Sequence, residues 1–188
     1  MAPAGLILAG GASRRMPGAS KLLRSWGDTT VLGAVIRVAR EAGLAPIVVV
    51  AAEAVGADGA DRRLPTPSGG GRADSLAAGL AALPPGPVVV LLGDEPGIRP
   101  ATVNALVGHC RSTGADAGRV AYTDRPGHPV WLGRAARAIA ARLTGEAPVW
   151  EAVSSASPRA VLLERDEPAP IDVDSPDALA RARQRERA

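Results

Sequence analysis

The chain has 188 residues, a formal net charge of +3, a single cysteine and no phenylalanine, a length that supports one domain with an aliphatic core and needs no disulfide or metal staple. Lone Cys110 excludes a disulfide framework or a cysteine metal cluster. The modest charge and scarcity of aromatic residues argue against nucleic-acid binding, and no stretch approaches the ~20 apolar residues of a membrane span, so a soluble, cytoplasmic protein with neither nucleic acid nor membrane as partner is expected.

Apolar runs alternate with helix-like segments, as in a layered α/β domain with a largely parallel sheet. The first strand spans 4–9 and breaks at Gly10-Gly11 into a cationic loop carrying Arg14, Arg15 and Lys21. Adjacent glycines let backbone N–H groups approach an anion with no Cβ in the way, and the side-chain charges suit a triphosphate. No Gly-Lys pair occurs, which excludes a P-loop, and the Gly-x-Gly-x-x-Gly of a dinucleotide site is absent here. Thr29 or Thr30 caps a helix carrying Leu32, Val35, Ile36 and Ala39 and ending at Gly43. Residues 46–51 are a β-branched run, hence a strand buried on both faces. Residues 56–71, with Pro65, Pro67 and a glycine run, read as a loop. The loop feeds a helix over 74–83 with Asp74 or Ser75 near its N-cap, where free N–H donors form a second nucleotide-binding corner.

The next strand, 86–92, ends in Gly93-Asp94-Glu95-Pro96. Open parallel sheets bind ligands beyond the carboxyl ends of their strands, so Asp94 stands where a carboxylate suits Mg²⁺. Pro100 opens a helix over 101–113, with Cys110 in the core and His109 at the surface. A strand over 117–122 leads to Arg125-Pro126-Gly127-His128-Pro129, read as a turn before an apolar strand in which Trp131 packs. There Arg125 and His128 face an anionic substrate. Helices near 134–143 and 148–155 and a short strand at 160–163 follow. Asp172 and Asp174 alternate with apolar residues and share one face if extended, which brings a carboxylate toward Asp94 across a metal ion. Ser175-Pro176 starts the last helix, whose Arg181, Arg183, Arg185 and Arg187 read as a frayed, solvated tail. No internal repeat or second domain is evident.

Five stretches in this order resemble the MobA/MocA-like nucleotidyltransferases. They are Leu8-Ala9-Gly10-Gly11 through Arg15-Met16 and Lys21, then Ser75-Leu76-Ala77-Ala78-Gly79-Leu80, then Gly93-Asp94-Glu95-Pro96, then Arg125-Pro126-Gly127-His128-Pro129, and finally Asp172-Val173-Asp174-Ser175-Pro176-Asp177. The resemblance covers nearly the whole chain. It implies a single-domain, three-layer α/β/α fold with a Rossmann-like, mostly parallel mixed sheet of the glycosyltransferase-A type. It further implies Mg²⁺-dependent transfer of CMP or GMP from CTP or GTP to the terminal phosphate of molybdopterin or its molybdenum-loaded form, with release of pyrophosphate. A recipient molybdoenzyme or its chaperone is the implied protein partner.

In that scheme Arg15, Lys21 and Asp94 are catalytic, and Leu8, Ala9, Gly10, Gly11, Lys21 and Ser75 contact the nucleotide. Asp94 and Asp174 hold the metal, with Asp172 an alternative second ligand, while Arg125 and His128 orient the acceptor. Leu-Ala-Gly-Gly resembles the guanylyl branch, whereas Gly-His-Pro and Asp-x-Asp resemble the cytidylyl branch, so both bases stay open. Pro17 stands where the family has glycine and removes one N–H from the loop. Two other readings remain: transfer to a sugar or alditol phosphate, and a catalytically degenerate nucleotide-binding protein.

Overall fold

In the computed structural model, which describes residues 2–10, 20–157 and 159–186, the elements follow the apolar runs closely. The first half of the chain forms β1 (Ala4–Ala9), β2 (Ser25–Trp26), β3 (Thr29–Thr30), α1 (Val31–Glu41), β4 (Ile47–Ala51), β5 (Arg62–Pro65), α2 (Arg72–Ala81) and β6 (Val88–Leu92). The second forms α3 (Pro100–Thr113), β7 (Ala117–Ala121), β8 (Pro126–Leu132), α4 (Arg134–Ala140), α5 (Val149–Ala156), β9 (Ala160–Glu164) and α6 (Pro176–Glu186).

A seven-stranded sheet runs in the order β5-β4-β1-β6-β8-β7-β9. Its pairings are parallel except those of β8 with β6 and β7, so β8 alone runs against the rest. Strand periodicity divides the core. Ile7, Val49 and Leu91 face one way, with α1 and α3, while Leu6, Val48 and Val90 face the other, with α2 and α4. This is the expected three-layer α/β/α fold with a mixed, mostly parallel sheet. The glycine of the Ser-Leu-x-x-Gly-Leu stretch has a packing reason: a Cβ on Gly79 would lie 2.4 Å from Leu6 Cδ1, so only glycine lets α2 lie this close to β1.

Local signals start and stop the helices. The Thr30 hydroxyl accepts from Gly33 N at 3.0 Å, Ser175 Oγ accepts from Ala178 N at 3.1 Å, and α3 opens on Pro100 and closes on Gly114 at φ +62°. The end of α2 is held from a distance. Arg137 donates to the carbonyls of Leu80, Leu83, Pro84 and Gly86 at 2.5–3.0 Å, satisfying the last turn of α2 and the turn into β6 together. Arg137→Ala is expected to destabilise the fold by about 2 kcal/mol, a loss of roughly 4–8 °C in Tm for a chain of this size, read by thermal denaturation; lysine, without the planar fork, restores little of it.

Four expectations are corrected. Residues 56–71 are not all loop, because Arg62–Pro65 pairs with the open edge of β4, and backbone pairing needs no apolar side chains. The helix expected at 74–83 starts at Arg72 with Gly71 as N-cap. Asp74 stands in its first turn, its carboxylate accepting from Gly71 N at 2.7 Å and Gly145 N at 2.9 Å. Gly127-His128-Pro129 is not a turn but the first half of β8, where Gly127 pairs with Val120. The last helix does not fray through residue 186, since Arg183 donates to Ser25 O and Arg185 to Ala169 O at 2.8 Å. Cys110 is buried as expected, with its thiol pushed up to about 12 by burial. Trp131 is buried and donates to Ala115 O at 3.1 Å.

Candidate active site

The strand order decides which residues meet. β1 and β6 are adjacent and parallel, so Gly10 and Asp94, each just beyond a carboxyl end, open onto one cleft. Reversed β8 brings its amino-terminal half, with His128, to the same edge. The segment before α6 is fastened there by Val173, which is fully buried and donates to Asp94 O at 2.9 Å.

Lys21 lies at the centre. It is 5% exposed, and Nζ donates to Asp94 Oδ2 and Asp174 Oδ1, both at 2.5 Å. Burial disfavours its charge, but the hydrogen bonds to Asp174 and Asp94 outweigh that cost and hold the ammonium above its ordinary pKa. A cation therefore sits between the two carboxylates singled out as metal ligands.

Asp172 and Asp174 border one common cavity, but not as the extended pair expected. Asp174 N bonds Asp172 O at 3.0 Å in a tight turn, and the side chains diverge. Asp174 reaches Lys21, whereas Asp172 hydrogen-bonds Glu95 and lies 3.7 Å from the Arg125 guanidinium. Glu95 is 1% exposed. Burial first, then the hydrogen bond and charge of Asp172 and the charge of Asp94, raise its carboxyl well above the usual range. Sequence reasoning quoted Glu95 within its motif and gave it no role; its signal was the position between Asp94 and Pro96.

Two cavities open beside this centre. One, about 610 Å³, is bounded by Leu8, Gly10, Thr66, Ser75, Asp94 and Asp174, with Gly70 and Gly71 at the start of α2. The other, about 350 Å³, has an apolar floor of Leu76, Val90 and Val130 and a rim of His128, Arg119 and Trp150. They share Leu8, Arg72, Leu92 and Glu146, so they form one continuous trough. Arg119 lies 5.7 Å from the Trp150 ring centroid, and neither residue was singled out from sequence.

Of the residues expected at the site, Leu8, Gly10, Lys21, Ser75, Asp94, Asp174 and its alternative Asp172 converge on the first cavity. Ala9 packs beneath it, 2.9 Å from where a Cβ on Gly93 would stand. His128 faces the second cavity, where burial, then Arg119, Arg125 and Arg72, lower its pKa to about 3 and leave the imidazole neutral. Arg125 faces neither cavity: it donates to Pro170 O at 2.8 Å and lies 3.8 Å from Glu95, tying the Asp172 segment to β8. Gly11, Arg14, Arg15 and Pro17 lie outside the described residues.

Among the described residues no group of three or more His, Cys, Asp or Glu side chains forms a metal cage, and no helix is long and apolar enough to cross a membrane. A family model for the MobA-like NTP transferase domain matches residues 5–161. The chain belongs to this family. Among solved structures it is similar to Rv0371c from Mycobacterium tuberculosis H37Rv, with 33% identity, TM-score 0.81, and 98% of this chain and 99% of that one covered. It is also similar to the Rv0371c homolog from Mycobacterium sp. strain JC1, with 32% identity, TM-score 0.83, and 97% and 96% covered. A manganese complex of Rv0371c matches with 31% identity and TM-score 0.77 over 98% of this chain and 99% of that one. No curated protein sequence matches significantly. Membership in the MobA-like family makes the chain a nucleotidyltransferase that takes a nucleoside triphosphate.

Proposed function

We propose that the protein transfers CMP or GMP from CTP or GTP to the terminal phosphate of molybdopterin or its molybdenum-loaded form. The observation that carries this reading is the Lys21 ammonium held between Asp94 and Asp174, two carboxylates that border the first cavity. An acceptor phosphate oxygen attacks the α-phosphorus, the bond to the β-phosphate oxygen breaks, and pyrophosphate leaves. A phosphate is already a competent nucleophile near neutral pH, so the protein's work is alignment and charge neutralisation. This suits a site where His128 is neutral and too weak a base to take a proton.

The donor set fits Mg²⁺. Two carboxylates that converge on one cation, with the remaining positions left to phosphate oxygens and water, are the usual protein share of a Mg²⁺-nucleotide site. A bound Mg²⁺ would supply charge neutralisation for the reacting phosphates. Asp94 and Asp174 would hold it, and Lys21 would supply positive charge to the triphosphate and the leaving pyrophosphate. Gly10 and Ser75 line the nucleotide's side of the trough. Arg15 contributes further charge from the loop. Arg125 acts as a positioning residue for the Asp172 segment, and His128 borders the acceptor.

The apolar floor of the second cavity, with Trp150 on its rim, suits an acceptor with a flat ring system. Trp150→Ala is therefore expected to raise KM for the acceptor about tenfold and leave KM for the triphosphate unchanged. The direct test is pyrophosphate release with CTP and GTP in parallel, with molybdopterin set against a panel of sugar phosphates. Release with a sugar phosphate and none with molybdopterin sinks the acceptor assignment.

A further inference from the structure

Residues 144–148, which join α4 to α5, form a strap tied to the first turn of α2. Glu146 borders both cavities, and Ala147 and Pro148 border the second. The first N–H groups of a helix have no partner within it, and Ala73 uses this freedom to donate to Gly145 O at 3.0 Å. On its other side Gly145 donates its own N–H to Asp74 Oδ2 at 2.9 Å. The same Asp74 oxygen accepts from Gly71 N at 2.7 Å. One carboxylate oxygen thus joins the start of α2 to a segment 71 residues further along the chain. The approach is backbone to backbone, since a Cβ on Gly71 would lie 2.2 Å from Gly145 O. Arg72 and Glu146 add an ion pair at 3.0 Å, but both side chains are exposed and the pair contributes little.

The strap leads directly into α5, whose half-buried Trp150 stands on the rim of the second cavity. Helix α5 has eight residues, of which Val153 is the buried one. One buried apolar anchor fixes where so short a helix sits. The aim of its first turn is then left to whatever holds the chain ahead of it. Trp150 is in that first turn, and the hold is the grip on Gly145. A carboxylate on the nucleotide's side of the trough therefore governs a ring on the other side.

Resting on the nucleotidyl-transfer reading, we propose that Asp74 is a positioning residue for the acceptor: by fastening the strap to α2 it sets Trp150 beside the second cavity. The test compares Asp74→Ala, Asp74→Asn, Trp150→Ala and the Asp74→Ala/Trp150→Ala double variant by pyrophosphate release. The acceptor is molybdopterin, or whichever sugar phosphate supports release in the wild type. Asp74→Ala is expected to raise acceptor KM about tenfold, as loss of the ring does, with kcat and triphosphate KM within about twofold of wild type. An asparagine amide oxygen accepts both N–H bonds, so Asp74→Asn is expected to keep the wild-type KM. The double variant is expected to be no worse than either single one, because both losses act through one ring. Gly71→Ala, whose methyl pushes the strap away while the carboxylate stays, is expected to raise acceptor KM as well. Amide hydrogen exchange reads the strap without turnover: Asp74→Ala is expected to speed it over residues 144–151 and leave the sheet unchanged. Unchanged acceptor KM, unchanged exchange at the strap, or losses that multiply in the double variant overturn the proposal, the last being the mark of a merely structural cap. An equal rise in triphosphate KM also overturns it, since it reports a damaged start of α2. If exchange changes as expected but the wild type releases no pyrophosphate with any acceptor, the nucleotidyl-transfer reading itself fails, and acceptor positioning with it.

Discussion

Asp94→Asn is expected to lower pyrophosphate release by about a thousandfold or more while the protein stays folded. The amide keeps the shape of the carboxylate and still accepts a hydrogen bond from Lys21 Nζ, so the packing around Val173 and Asp94 O is retained. It loses the charge that attracts a divalent cation into the trough. The rate is measured with saturating triphosphate and acceptor, and folding is followed by thermal denaturation. Pyrophosphate release within tenfold of wild type, at the same metal concentration, removes Asp94 from the reacting centre.

The second large effect is expected at Lys21. Lys21→Met removes the ammonium that contacts both carboxylates at 2.5 Å, and transfer falls by about two to three orders of magnitude, the usual cost of one lost transition-state donor. Binding of metal moves the other way. In the nucleotide-free protein Lys21 neutralises the two carboxylates a divalent cation needs, so the variant is expected to bind Mn²⁺ at least about tenfold more tightly. Paramagnetic resonance of free Mn²⁺ reads this without any turnover. Slower catalysis with tighter metal binding marks a lysine that shares its position with the cation. A variant with wild-type Mn²⁺ affinity shows that the two do not compete.

Much of this site was legible because its parts are local. Gly10 after an apolar run, Asp94 after another, and Ser175-Pro176 ahead of the last helix are signals carried by a few neighbouring residues, and each stands where those signals put it. Helix α1 with its Thr30 cap and strand β4, buried on both faces, were legible for the same reason. The misread stretches depend on distant partners. Residues 62–65 are a strand only because β4 has a free edge beside them. Gly127-His128-Pro129 has the composition of a turn, yet β6 and β7 flank β8 and draw it into the sheet. Asp172 and Asp174 alternate as a strand would, but Val173 is pinned to the backbone of Asp94, and the turn this imposes sends the carboxylates to different cations.

By itself, then, the sequence determined the layered α/β class, the family and the residues that carry charge to the centre, because hydrophobic period, caps and short motifs are properties of adjacent positions. Only the tertiary structure decided that β8 runs backwards and turns His128 to the second cavity, that buried Glu95 joins Asp172, and that Thr66, Arg119 and Trp150 border the trough at all. Those residues have no common spacing along the chain. They become neighbours through the order of the strands and the burial that follows from it, and burial is also what raises Glu95 and holds His128 neutral.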